Sequence, residues 1–592
     1  MSVTGGSRAV GASSPDEPSA KLFCCGPLRR WVPLAIREEL YYILRMTGPL
    51  MLYRVLNFLT PFFVTMFCGR LGNTVLAGYA MASVIISVST LATGGGLILA
   101  CNTLVSQTFG ARNLLRVGVI LQRSVLILLL FCLPCWALLV NSQAILLVLG
   151  QDPEVARIAQ IYVIAVLPAV PAIFLHLLLV AYLQNQGVIL PQVYMSAVAA
   201  VGTLLINYIL VSWLDLGVPG SAAANSVAQI ISCILLLSYI IWRKLHVKTW
   251  DGWTMECLQE WGSFMRLAIP SAFMFCLEWW VYEFGGFFAG MLSEDELAAQ
   301  HVVMMLGFLN YMIPLSIQGA ACVRVGNALG AGDTNGAIRT SKICLALTAV
   351  FAVFQGVILA STKSVIGFIF TSDEKIAKLV SGVLNVYCFS QFLDGLVCVS
   401  MGILLGAGRQ RIAAVANLFG YYCIGLPVGI ALMFTAGLRV AGFWLGLLIC
   451  VCVQVTFFLT VIFKMNWKII TKEAVARAGV NVYADLMPRP EQLPLENNRE
   501  TENGHGSVVL QEGQKAHGSE RRQPAALLSS SQLLLRRGLT VLTLLLILGV
   551  GVTVHLLLPL PESSWSSRNN GTIDAGNWTT ANPLEQTSPA DL

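Results

Sequence analysis

The chain has 592 residues, of which 56% are hydrophobic and only 11% charged, whereas about a quarter of the residues of soluble globular domains are charged. That excludes a soluble globular fold and points to an all-α polytopic membrane protein. The net charge of +6 is modest and follows an asymmetry between loops, so nucleic acid is not an expected partner.

The first twenty residues hold no apolar run that could act as a cleavable signal, so 1–37 is expected to be a cytoplasmic tail and the first span to insert the chain. Windows able to cross about 30 Å of hydrocarbon recur at 41–68, 77–101, 117–140, 156–183, 190–213, 218–242, 264–292, 298–322, 338–360, 377–405, 412–435 and 440–463. Arg29, Arg30 and Arg37 precede the first, Arg112 and Arg116 follow the second, and Arg243, Lys244 and Lys248 follow the sixth. The opposite loops carry Asp152, Glu154, Asp215, Glu294, Asp295, Glu296, Asp373 and Glu374 instead. This positive-inside pattern places the amino terminus in the cytoplasm. Residues 465–537 are polar and aperiodic and read as a disordered cytoplasmic linker. A thirteenth window, 538–558, follows Arg536 and Arg537. An odd number of spans puts 559–592 outside, where Asn570 and Asn577 both match the glycosylation acceptor N-x-[ST].

The chain repeats itself. Pro49 matches Pro270, Leu76-Ala77 matches Leu297-Ala298, Gly110-Ala111 matches Gly330-Ala331, Asp152 matches Asp373, Gly187 matches Gly408, and Gly220 matches Gly442. The offset stays between 220 and 222 throughout. Two six-helix bundles, 38–242 and 259–464, joined by a cytoplasmic linker 243–258, are therefore expected. Because six is even, both start on the same face and a pseudo-twofold axis runs along the membrane normal. Such a pair suits alternating access about a midplane cavity.

The seventh span, LAIPSAFMFCLEWWVYEFGGFFAGMLS, carries Glu278 and Glu283. An acid at that depth costs roughly 2.5–3.5 kcal/mol on insertion scales, so it faces a water-filled pathway or binds something. The two stand five apart, about 140° around a straight helix, and so read as two stations. Asp394 in the tenth span adds a third acid, while the repeat places Asn57, Phe62 and Ile173 opposite the three. The acid chemistry belongs to the second half only. Trp279 and Tyr282 beside Glu278 offer faces for an organic cation, and Arg54 sits too deep in the first span to snorkel. No G-x-x-x-x-G-K-[ST] phosphate loop is present, and no metal pattern, so energy comes from an ion gradient. A desolvated carboxylate holds a proton or a cation, and that competition makes an antiporter with the proton as coupling ion and no cofactor. Gly330-Ala331-Gly332-Asp333 reads as G-x-G-D, a motif of intramembrane aspartyl proteases, but lies in a loop with no Tyr-Asp partner in any span. A receptor is opposed by the repeat, and an exporter of lipid-linked or anionic solutes is the alternative that Arg54 favours.

FCGRLGNTVLAG, NTLVSQTFGARN, YLQNQGVILPQ, RLAIPSAFMFCLEWWVYE, VRVGNALGAGD and GYYCIGLPVGIALMF recur in one order over about 38–465, and there the chain closely resembles the multidrug and toxin extrusion (MATE) family, particularly its vertebrate members. The resemblance implies the MATE fold and proton-coupled export of organic cations and xenobiotics, with Glu278 to Glu283 at the cation and proton site. The chain departs from the pattern of those members at Met305 and Asp394, where glutamates are expected, and at Arg54 and Asn102, where an amide and an aspartate are. These changes make the cavity formed with Asn57 less negative. A monomer in the plasma membrane is expected.

Overall fold

Away from water, a long apolar run satisfies its backbone groups internally, as a helix. The computed structural model describes residues 33–370, 373–479 and 529–557. Within them, thirteen helices are long and apolar enough to cross a membrane. They are α1 (Leu34–Leu71), α2 (Thr74–Gly110), α3 (Leu114–Val140), α4 (Pro153–Asn185), α5 (Leu190–Trp213), α6 (Gly217–Trp242), α7 (Trp261–Leu292), α8 (Glu294–Gly330), α9 (Thr334–Thr362), α10 (Glu374–Gly406), α11 (Gln410–Thr435), α12 (Arg439–Lys464) and α13 (Ser531–Leu557). Asn570 and Asn577 lie outside the described residues. The segment expected to be a disordered linker from 465 onward begins with order. A helix spans Trp467–Arg477, capped by Asn466, whose Oδ1 accepts from the Ile469 amide at 3.3 Å. Its Trp467, Ile470, Thr471 and Ala474 are buried at a three-to-four spacing, the pattern of a surface helix with one apolar face.

The apolar interior divides into two clusters, one for each half. The division is not clean at α1 and α7. Ile43, Met46 and Leu50 of α1 pack in the second-half core, and Trp261, Phe264 and Ala268 of α7 pack in the first-half core. Each helix carries a proline inside it, Pro49 and Pro270. Proline removes one helical hydrogen bond and loosens the helix, at the stretch where each crosses from one core to the other.

The repeat is written into the backbone. Asp152 and Asp373 cap α4 and α10, with Asp152 Oδ1 accepting from the Glu154 amide at 2.9 Å and Asp373 Oδ1 from the Lys375 amide at 2.8 Å. Gly217, the first residue of α6, and Arg439, the first of α12, share φ values of 56° and 55°. Arg439 holds that left-handed conformation, uncommon for a side chain of its size, while its Nη1 contacts the Glu296 carboxylate at 3.3 Å.

The halves are sealed together at one end. A Cβ on Gly110 would run into the backbone of Asn327, and one on Gly330 into that of Gln107, so α2 and α8 cross there at glycine distance. Around the crossing, Thr103 donates to the Leu405 carbonyl at 2.7 Å and Gln107 to the Gly406 carbonyl at 2.8 Å. Arg477 donates to Gln107 at 2.9 Å, which locks the Trp467–Arg477 helix over the joint. Glu39 of α1, 6% exposed, takes two bonds from Arg324 of α8 at 2.9 and 2.5 Å and one from Thr340 of α9 at 2.8 Å. The G-x-G-D stretch lies at this end, where Asp333 accepts from the Gly336 amide at 2.8 Å and caps α9. That is a structural role, not a protease site. Helix α13 packs against α3; Asn141 donates to the Gly551 carbonyl at 2.8 Å, and Arg537 donates twice to the Leu258 carbonyl while lying 4.1 Å over the Trp261 ring.

Candidate functional site

Midway along the second half, α7, α8, α10 and α12 enclose a cavity of about 50 Å³ lined by Glu278, Trp279, Tyr282, Met304, Phe308, Tyr311, Tyr387, Asp394 and Trp444. Glu278 is 7% exposed and accepts a hydrogen bond from the Tyr311 hydroxyl at 2.6 Å, a charge-assisted contact worth about 1.5–3 kcal/mol. Asp394, half-buried on α10, lines the same cavity and interacts electrostatically with Glu278. Aromatic rings form the wall: Trp279 stacks on Phe308 with centroids 5.4 Å apart, and Trp444 meets Tyr387 edge-on at 5.3 Å and Tyr282 at 6.1 Å. Buried carboxylates in an aromatic wall can take a proton or a cation. A volume of about 50 Å³ suits a few waters, and is far below the roughly 300–1,000 Å³ of organic-ligand pockets. All of its lining comes from the second half, so a larger solute needs α7, α8, α10 and α12 to move apart.

The residues expected to share one site are distributed by the helices' rotation. Glu278, Trp279, Tyr282 and Asp394 meet in this cavity. Glu283 is exposed and lines no part of it, as its separation of about 140° from Glu278 requires. Asn57 lines a second cavity, of about 310 Å³, in the first half. Its Nδ2 donates to Tyr53 O at 2.9 Å and Ser196 Oγ at 3.2 Å. Asn102 lines neither cavity; its Oδ1 accepts from Asn185 at 2.7 Å, which ties α2 to α4. Arg54 lies between the halves, donating to the Leu315 carbonyl of α8 at 3.3 Å. The methionine in the acidic cavity is Met304, neighbour of Met305.

The two cavities occupy equivalent places in the repeat. Asn57 corresponds to Glu278, Pro61 to Tyr282, Ser83 to Met304, Ser87 to Phe308, Val166 to Tyr387 and Ile173 to Asp394, each 221 residues apart. The first-half cavity adds His176, 8% exposed, with Asn225 and Gln229, and holds no carboxylate.

Reading the sequence for charge overlooked Tyr311, Tyr387 and Trp444. The polar trio Asn310, Gln355 and Gln391 within apolar spans was a usable signal. Gln355 donates to both oxygens of Asn310 at 2.8 and 2.9 Å, and Asn310 reaches Gln391 at 3.4 Å and Tyr387 at 3.5 Å, which fixes α8, α9 and α10 against one another beside the cavity.

The MatE family model matches residues 49–209 and 270–431, one copy on each half. The zebrafish (Danio rerio) protein named multidrug and toxin extrusion protein 1 is 44% identical over 91% of this chain and 94% of its own length. The human protein of that name is 45% identical over 88% of this chain and 94% of its own length. Among solved structures, the eukaryotic MATE transporter AtDTX14 superposes with a TM-score of 0.72 at 29% identity, covering 75% of this chain and all of its own. The Vibrio cholerae MATE transporter VcmN in its bent form, at 16% identity and a TM-score of 0.64, shares the fold. Thirteen membrane-length helices, two bundles in one repeat register and these matches agree: the chain is a multi-pass membrane protein that belongs to the multidrug and toxin extrusion family.

Proposed function

We propose that this chain is an antiporter that exports organic cations, xenobiotics among them, in exchange for protons, by alternating access of its two halves. The observation that carries the reading is the pair Glu278 and Asp394 in one small, aromatic-walled cavity. A bare carboxylate among apolar groups is costly. A buried Glu278 is therefore tolerated when a proton or a cation neutralises it, and an unneutralised site resists the transition. Cation binding on the inside displaces the proton, the halves reopen outward, and protonation there releases the cation. Glu278 is the exchanging carboxylate and Asp394 shares its charge; exposed Glu283 is a second station on the path. No cofactor is required.

The loop charges support a cytoplasmic amino terminus and an external carboxyl terminus in the plasma membrane, with Asn570 and Asn577 as glycosylation acceptors. In that orientation the sealed end of α2 and α8 is cytoplasmic and the closed joint is the inner gate. A single chain holds both halves, so a monomer suffices.

The test is uptake of a labelled tetraalkylammonium ion into membrane vesicles with an acidic interior. Wild-type uptake depends on the gradient, and Glu278→Gln abolishes that dependence. Uptake indifferent to the gradient, or a fully active Glu278→Gln, refutes the mechanism.

A further inference from the structure

Arg54 belongs to α1 of the first half, yet its guanidinium ends against the second. Its Nη2 donates to the Leu315 carbonyl at 3.3 Å, its Nε is buried without a partner, and no carboxylate oxygen lies within 4.0 Å of it among the described residues. A guanidinium offers five N–H donors, and one long bond to a neutral carbonyl leaves its charge without a carboxylate partner among the described residues. Packing does not demand this side chain. Its repeat counterpart, Phe275, stands at the corresponding place in the interface, beside Gly95 of the first half, so a ring serves there.

The neighbours of Arg54 say what its charge is near. Leu315 is one helical turn from Tyr311 on α8. Tyr311 and Cys398 both lie within electrostatic reach of Glu278 and Asp394, and both also lie within reach of Arg54. Two carboxylates from the second half and one unmatched guanidinium from the first thus flank the same two side chains. A dication adds charge beside that guanidinium, whereas a solute with one charge of each sign meets an opposite charge at both ends.

We propose that the site is dipolar and selects zwitterionic organic solutes, with the ammonium end held at Glu278 and Asp394 and a carboxylate end held at Arg54 across the interface. This rests on the antiport reading. Such a solute touches both halves at once, so binding itself draws them together.

Two probes of matched size separate the charges: a trimethylammonium carboxylate (a betaine) and its methyl ester, which keeps the cation and loses the anion. In proteoliposomes holding the full chain, with an acidic interior, the wild type takes up the betaine at least as well as the ester. Arg54→Gln lowers betaine uptake on the order of tenfold, as loss of one charge-assisted contact does, and leaves ester uptake unchanged or raised; Arg54→Lys recovers most of the betaine uptake. An unchanged betaine-to-ester ratio in Arg54→Gln overturns the proposal. So does a wild type that takes up the ester and not the betaine, a comparison that needs no variant to fold. Gradient-driven uptake of neither probe nor of a tetraalkylammonium ion overturns the antiport reading, and this proposal with it.

Discussion

The second-half cavity encloses about 50 Å³ between two carboxylates and a wall of aromatic rings, whereas its repeat-related counterpart in the first half encloses about 310 Å³ and has no carboxylate in its lining. The helices and the positions are the same, and the side chains differ. Pro61, Ser87 and Val166 stand where Tyr282, Phe308 and Tyr387 fill the other copy, and that substitution of rings for small groups accounts for the contraction. The repeat therefore supplies a symmetric frame in which one copy is a narrow charged site and the other is roomier and lined without carboxylates.

Four measurements break or sharpen that contrast. Asp394→Asn removes the second acid of the narrow cavity and is expected to reduce proton-driven cation uptake by about 100-fold, the scale of losing close to 3 kcal/mol of charged contact; an unaffected variant would leave Glu278 as a lone site. Glu39→Gln weakens the ion pair that seals the halves. Allowing for the part-exposed Arg324, that costs roughly 2 kcal/mol, so the open population at that end rises about 30-fold, read as faster labelling of a cysteine placed beside Gly330. Tyr311→Phe deletes the 2.6 Å bond to Glu278 and lowers the apparent affinity for the transported cation about tenfold. His176→Asn, in the wider cavity, changes uptake by less than about twofold; a larger effect would show that the neutral copy binds solute as well.

Much of this was legible in the sequence, for identifiable reasons. The spans follow from hydropathy, and the repeat from landmarks such as Pro49 and Pro270 whose offset hardly drifts. The acid asymmetry followed from reading Glu278 against Asn57. What escaped were relations set by helix rotation and by contacts remote in the chain. Tyr311 meets Glu278 across 33 positions, and Arg54 meets Leu315 across 261, and no local pattern announces either. The grouping of Asn57 and Asn102 with the acids failed for the same reason, because position in a span says nothing of which half's cavity a side chain lines. The helix Trp467–Arg477 was missed because two turns of apolar spacing are weak beside the polar run that follows.

The crossed openings of α1 and α7 bear on how the protein is made. Ile43, Met46 and Leu50 leave the ribosome more than 200 residues before Met274 and the later residues that, with Ile189, make up the core they complete. At synthesis rates of about 5–20 residues per second, the start of α1 waits on the order of ten seconds or longer for its neighbours. During that interval the first bundle is assembled without the start of α7 that fills its own core. Neither half is a finished unit when made alone, and two separately expressed halves should recover stability by supplying each other's missing helix turns.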